Sequence, residues 1–366
     1  MKKKVMLVLC LLVCSLLVGV AVSCSKKPMI DDVSVFIYDY KDAYISSVRK
    51  EMEKTFSDKG MRATFYDGGN SAPTQKGQIE SAIASGTKMI VVNIVDVSAG
   101  SQISKLAKDA NIPVVFFNRE ITDADLRVYD KATFVGTSPQ AGGQKLGEIV
   151  AKYLFPQGKE NLDTIKKYDT NGDKILNYAM LRAEQGNPEA DARTKEPIIY
   201  LEEYLQGTGY SLSRVGADLL ANWDQAQAKN QMDSLLASNP LGNGGPEIIL
   251  ANNDMMALGA VQSLNDKGYN RGGDSKVVPV FGVDALDVAV KAIDEKKMAG
   301  TVKQDGVTMA KVIVGMCHNI VNMATYSPTE AIKGLTLGAN DPVVFDTETL
   351  HKVRIPYQEY TGKSMQ

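Results

Sequence analysis

From Val33 onward the chain alternates short β-branched runs with stretches of helical periodicity, and this rhythm limits it to parallel sheets assembled from βαβ units. Val33-Ser34-Val35-Phe36-Ile37-Tyr38 reads as a buried strand; Ile45, Val48, Met52 and Phe56 then recur on one helical face until Gly60 stops the helix. Further strands are predicted at Met89 to Val95, Val114 to Phe117, Tyr178 to Leu181, Ile248 to Ala251, Val277 to Phe281 and around Thr301-Val302, with helical patterns between them. With 366 residues, 44% of them hydrophobic, the chain is long enough for two such units with separate cores.

Open parallel sheets bind ligands in the crevice beyond the carboxyl ends of their strands. The residues following the predicted strands are strongly polar: Asp39, Tyr40 and Asp42; Asn93 and Asp96; Asn118-Arg119-Glu120; Asn252-Asn253-Asp254; Asp284. Each alone reads equally well as a helix cap or a turn residue. Repetition at matching topological positions points to a ligand. No G-x-G-x-x-G opens a helix after a strand and no P-loop occurs, so dinucleotide and triphosphate sites lack a motif. A net charge of −2 gives no basic footprint for nucleic acid.

The N-terminus carries a positive Met1-Lys2-Lys3-Lys4, an uncharged apolar run from Val5 to Val22, and small residues before Cys24, which together read as an export signal. Cys24, followed by Ser25-Lys26-Lys27-Pro28, resembles a bacterial lipobox, in which the cysteine becomes the acylated first residue. An uncleaved membrane anchor is the other reading of this segment. The mature chain then keeps only Cys24 and Cys317, too few for a disulfide framework, and Cys317 falls in an apolar helical pattern as a buried structural thiol.

Carboxylates, carboxamides and guanidinium groups suit sugar hydroxyls because each offers paired donors or acceptors in fixed geometry, and aromatic faces cover the apolar C–H faces of a sugar ring. The chain has one tryptophan, Trp223, at a polar junction between loop and helix, where a structural anchor is the alternative role. The segments Val115-Phe116-Phe117-Asn118-Arg119-Glu120, Gly186-Asn187-Pro188-Glu189-Ala190-Asp191-Ala192-Arg193, Trp223-Asp224-Gln225-Ala226-Gln227-Ala228-Lys229, Ala251-Asn252-Asn253-Asp254 and Pro279-Val280-Phe281-Gly282-Val283-Asp284-Ala285 closely resemble the bacterial periplasmic galactose/glucose-binding proteins, in the same order and with similar spacing.

That resemblance implies an α/β chain of the type I periplasmic binding protein family: two Rossmann-like lobes with parallel sheets, joined by crossover hinge segments and closing around one monosaccharide. The expected division is a signal peptide over 1–23, a lipidated linker over 24–32, an N-terminal lobe of 33–137 with 306–352, and a C-terminal lobe of 138–305 with 353–366. Carried over residue by residue, Tyr38 and Asp42 meet the hydroxyl region that separates glucose from galactose. Asn118, Arg193, Asn253 and Asp284 bond the other hydroxyls and the ring oxygen, while Tyr44 and Trp223 stack on the ring's two faces. The chain departs from the family at Asn187, where relatives carry His, at Glu189, where they carry Asp, at Gln304 in place of Asn and at Tyr44 in place of Phe.

Asp169-Thr170-Asn171-Gly172-Asp173-Lys174-Ile175-Leu176-Asn177 has the spacing of a calcium loop, in which oxygens at alternate positions converge on a hard cation. The resemblance implies structural Ca²⁺ held by Asp169, Asn171, Asp173, Ile175, Asn177 and the distant Glu247; Lys174 stands where the turn favours Gly, and a metal-free Asx turn is the alternative. The implied setting is the periplasm, with Cys24 the only attachment to a membrane. The implied partners are a permease with its ATPase and also a chemoreceptor, with the chain acting as a monomer and not as an enzyme. A binder of a pentose, nucleoside or signalling furanose is the runner-up reading, and a glycoside hydrolase using two of Asp42, Glu189 and Asp284 the most distant one.

Overall fold

The computed structural model of the chain describes residues 30–338, 341–346 and 351–362. The predicted signal segment and Cys24 lie outside the described residues. Among those residues, no helix is long and apolar enough to cross a membrane.

Among the described residues, thirteen strands occur in chain order: β1 (Ile30–Ile37), β2 (Met61–Asp67), β3 (Met89–Val92), β4 (Val114–Phe117), β5 (Ala132–Gly136), β6 (Ile175–Arg182), β7 (Ser211–Arg214), β8 (Leu219–Leu220), β9 (Ile248–Ala251), β10 (Val280–Asp284), β11 (Gly300–Gln304), β12 (Lys352–Arg354) and β13 (Tyr357–Tyr360). They form two sheets, ordered β12-β5-β4-β3-β1-β2 and β13-β11-β10-β9-β6-β7, with β8 extending β6 beyond β7. Every pairing is parallel except β13 against β11. The two windings match, each reversing direction beside its first strand, β1 or β6. That reversal is where an open α/β sheet offers a crevice.

Both faces of each sheet are covered, which is why β3, β4 and β9 are apolar throughout rather than alternating. Helices Ala43–Asp58 and Gly306–Asn322 close one face of the first sheet around Val48, Met52, Phe117, Val312 and Met316. Cys317 is fully buried in the same core, as its apolar setting suggested. Phe36, Ile90, Phe116 and Phe134 fill the opposite face. In the second sheet, helices Gln225–Ser238 and Asp254–Asp266 cover one side and Pro139–Leu154 and Pro188–Leu205 the other.

The chain passes from the first sheet to the second between Gly136 and Pro139, returns between Gln304 and Gly306, and crosses again between Arg354 and Tyr357. Helix Gly306–Asn322 and β12 therefore complete the first lobe although they follow the second in sequence.

Several strand boundaries differ from expectation: β1 and β6 each begin three residues early, at Ile30 and Ile175, and β3 and β10 shift for identifiable reasons. β3 stops at Val92 because Asn93 turns its side chain into the ladder, donating to the Phe117 carbonyl at 3.2 Å. The β10 run begins after Pro279, which has no N–H to donate, and continues to Asp284. Six strands escaped the reading: β2, β5, β7, β8, β12 and β13. β2 and β7 are edge strands with mixed exposure, and β8, β12 and β13 have at most four residues each.

Candidate functional site

All eleven residues singled out from the sequence line one cavity between the carboxyl ends of the two sheets. Tyr38, Asp42, Tyr44 and Asn118 come from the first lobe; Asn187, Glu189, Arg193, Trp223, Asn253, Asp284 and Gln304 come from the second. About 350 Å³ of atom-free space, part of it open to solvent, lies among them.

Three of these residues are helix caps as well as cavity walls. Asp42 Oδ1 accepts from Ile45 N at 2.7 Å, Asn187 Oδ1 from Glu189 N at 3.0 Å and Ala190 N at 3.2 Å, and Asn253 Oδ1 from Met256 N at 2.9 Å. The capping reading and the ligand reading thus hold together, since a cap stands where a strand ends and the next helix points its N-terminus into the crevice.

Backbone strain concentrates here too. Asn118 (φ 61°), Asn222 (φ 47°), Trp223 (φ 67°), Asp284 (φ 120°) and Ala285 (φ 54°) are non-glycine residues at positive φ. Such conformations cost about 1–3 kcal/mol each and persist where the surroundings over-determine them, as they do around binding sites.

Much of the wall is fixed by the protein itself. Asp42 Oδ2 accepts from the Tyr38 hydroxyl at 2.7 Å. Arg193 donates from Nη1 to the Asn252 carbonyl at 3.1 Å and from Nη2 to the Tyr357 hydroxyl at 2.9 Å. Gln304 Nε2 donates to Asp284 Oδ1 at 2.9 Å, while its Oε1 faces Asn118 Nδ2 at 3.4 Å and the Thr137 hydroxyl at 3.3 Å. Gln304 therefore spends its amide joining the lobes.

What remains is a set of buried polar atoms with no protein partner: the Tyr44 hydroxyl, both carboxylate oxygens of Glu189, Arg193 Nε and Trp223 Nε1. Buried polar groups are normally bonded, and each orphan costs about 1–3 kcal/mol. Five orphans on one small cavity fit a ligand that is itself rich in hydroxyls. Burial pushes the Glu189 carboxyl up to about 7. Burial likewise raises Asp42, and it raises Asp284 well above the usual carboxylate range against the pull of Arg193.

Arg119 and Tyr357 belong to this constellation but were not among the predicted site residues. The Arg119 guanidinium sits over the Tyr38 ring, 3.8 Å from its centroid, and Arg119 bridges the lobes by donating to Glu184 Oε1 at 3.0 Å. Its signal was its place beside Asn118 at a strand end. Tyr357, in the last crossing, carried no signal. The other polar strand-end residues serve the framework: Asn252 accepts from Ala183 N at 3.0 Å, Asp254 from Leu286 N at 2.8 Å, and Glu120 pairs with Lys352 and Arg354.

In the 169–177 loop, Lys174 adopts φ 63°, the left-handed turn that the spacing demanded. Asp169 accepts from Gly172 N at 2.8 Å and Lys174 N at 3.1 Å. Glu247 closes the loop by accepting from Thr170 N at 2.6 Å and Asn177 N at 2.9 Å. The carboxylates of Asp169, Asp173 and Glu247 are spent on backbone N–H groups of the loop, and among the described residues no three His, Cys, Asp or Glu side chains gather as a metal cluster.

Two matched α/β lobes, three crossings and a polar cavity enclosed between the lobes define a two-lobed solute-binding protein. The chain belongs to the periplasmic binding protein family, whose domain matches residues 33–324. This is a family of transport components and not of enzymes. The chain is 34% identical over 289 residues to the D-galactose/methyl-galactoside binding periplasmic protein MglB of Haemophilus influenzae, covering 79% of this chain and 81% of that one. It is 29% identical over 299 residues to a putative rhizopine-binding protein of Rhizobium meliloti, covering 80% and 85%. A solute-binding protein of Actinobacillus succinogenes with bound D-allose shares the fold at a TM-score of 0.70 and 19% identity, over 92% of this chain and 99% of that one.

Proposed function

We propose that this protein captures a hexopyranose, D-galactose or D-glucose, between its lobes and delivers it to an ABC-type importer. The observation that carries the reading is the orphaned Glu189 carboxylate and Arg193 Nε on a cavity walled also by Tyr44 and Trp223, which a hydroxyl-rich ring would satisfy. Glu189 and Asp284 accept from hydroxyls, Arg193 donates to them, and Tyr44 and Trp223 cover the apolar ring faces. Asp42, already held by Tyr38, reads the hydroxyl on which the two epimers differ. The 34%-identical relative, named for D-galactose and methyl-galactoside, supports a hexose over a pentose or nucleoside.

Sugar contacts both walls only when the lobes are together, so binding shifts the population toward the closed form, which a permease and its ATPase then recognise. Acylated Cys24 is proposed to keep the protein at the membrane. For the 169–177 loop we propose Ca²⁺ held by Asp169, Asn171, Asp173, the Ile175 carbonyl, Asn177 and Glu247 after these oxygens turn inward. A rise in unfolding temperature on adding calcium to chelator-treated protein supports this, and an unchanged temperature assigns the loop to a metal-free turn.

Calorimetric titration of the mature domain with D-galactose, D-glucose, ribose and a nucleoside tests the central reading. Binding of a hexose ahead of the others is expected. Absence of binding to both hexoses overturns it.

A further inference from the structure

We propose that Tyr357 is a positioning residue: its hydroxyl fixes the Arg193 guanidinium for the sugar and ties that grip to all three inter-lobe crossings. The inference rests on the sugar-binding reading and extends it from the cavity wall to the hinge.

Each crossing contributes one polar side chain to a continuous chain of contacts. Thr137 follows β5 at the first crossing, Gln304 ends β11 at the second, and Tyr357 opens β13 at the third. The Thr137 and Tyr357 hydroxyls are 2.8 Å apart, and Thr137 Oγ1 is 3.3 Å from Gln304 Oε1. From this centre the chain reaches the ligand-facing groups in two directions: Gln304 Nε2 donates to Asp284 Oδ1 at 2.9 Å, and Arg193 Nη2 donates to the Tyr357 hydroxyl at 2.9 Å. With Nη1 committed to the Asn252 carbonyl at 3.1 Å, both terminal nitrogens of Arg193 are anchored and Nε alone has no protein acceptor. A guanidinium is planar, so fixing two nitrogens fixes the direction in which the third donates.

An independent observation concerns the tyrosine ring. A β-carbon on Gly142 would stand 2.7 Å from the Tyr357 Cζ. Glycine lies here inside helix Pro139–Leu154, where alanine is ordinarily the better helix former. The helix admits the phenol only because nothing projects from position 142.

Closing and opening of two lobes is absorbed by backbone rotation in the connecting segments. Contacts that link the segments to one another are the ones such rotation alters, so the aim of Arg193 depends on the state of the hinge.

The test is a double-mutant cycle on the full mature domain, read by calorimetric titration of the better-bound hexose to millimolar concentration. Tyr357→Phe is expected to weaken binding 5- to 30-fold while the unliganded unfolding temperature stays within a few degrees. In an Arg193→Met background the same change is expected to cost less than twofold, because the group it aims is gone. Gly142→Ala is expected to weaken binding through displacement of the ring, against its helix preference. Equal losses from Tyr357→Phe in both backgrounds, or no loss in the wild-type background, overturn the positioning role and leave the sugar reading standing. Absence of hexose binding by the wild type overturns both.

Discussion

Glu189→Gln separates the cost of burying the Glu189 carboxylate from its hold on the sugar. Both oxygens of this side chain are buried without a partner, and burial has moved its carboxyl from an ordinary 4.5 to about 7. At about 1.4 kcal/mol per tenfold change in proton affinity, the ionised form carries a penalty of about 3 kcal/mol in the unliganded closed protein. A glutamine removes the charge but stays buried and unpartnered at about 1–3 kcal/mol, so the variant should gain about 1 kcal/mol at pH 8, or roughly 2 °C. A carboxyl raised in the folded state contributes stability that is complete below pH 4.5 and is lost as pH rises through about 7. The wild type should therefore become more stable between pH 8 and pH 5, closing the gap, while the variant lacks this slope. Sugar binding should move the other way. Hydrogen bonds to a charged acceptor are worth about 1.5–3 kcal/mol against about 0.5–1.5 for a neutral one, so affinity should fall by about 2 kcal/mol, roughly 30-fold. Differential scanning calorimetry without sugar and isothermal titration with it measure the two effects. Affinity within threefold of wild type, or a variant less stable than wild type at pH 8, refutes the assignment of Glu189 to the ligand.

Trp223→Ala should weaken hexose binding by about 2–3 kcal/mol through loss of ring coverage, with Trp223→Phe retaining most of it; titration of both against wild type decides, and equal losses would reduce the residue to a structural anchor. Arg119→Ala removes the bridge to a partly exposed Glu184 and the stack on Tyr38, and should raise the dissociation rate about 3- to 10-fold with the association rate unchanged. Stopped-flow fluorescence of the single tryptophan reads both rates, and an effect confined to association would contradict a role in holding the lobes together. Incubation with aryl glycosides should give no turnover; sustained release of the aryl group that disappears in Asp42→Asn would restore the hydrolase alternative.

The sequence was most legible where period and position reinforced each other. The buried face of helix Ala43–Asp58 and the strands β4 and β9 followed from apolar runs and helical spacing, because full burial on both sheet faces leaves little room for polar residues. Asp42, Asn118, Asn253 and Asp284 were legible for a different reason: strand ends converge, so polar side chains at matching ends become neighbours, whereas the rest of the cavity wall followed only from the family resemblance. Glu120 and Asp254 stand at the same strand ends yet turn to Arg354 and Thr301, and only three-dimensional packing separates them from Asn118 and Asn253. Tyr357 was invisible because β13 is four residues long and pairs antiparallel with β11, outside the repeating pattern that guided the reading.

The order of the segments has a consequence for how the chain acquires its structure. The first lobe's core needs Met309, Val312, Ile313 and Met316, and its sheet needs β12, yet these arrive only after all of the second lobe except β13 has been made. A nascent chain of 300 residues can complete neither the packing of helix Ala43–Asp58 nor the edge beside β5, so the N-terminal half remains unfinished until synthesis is nearly over. The first lobe is thus the last to be completed, from segments that lie far apart in the sequence.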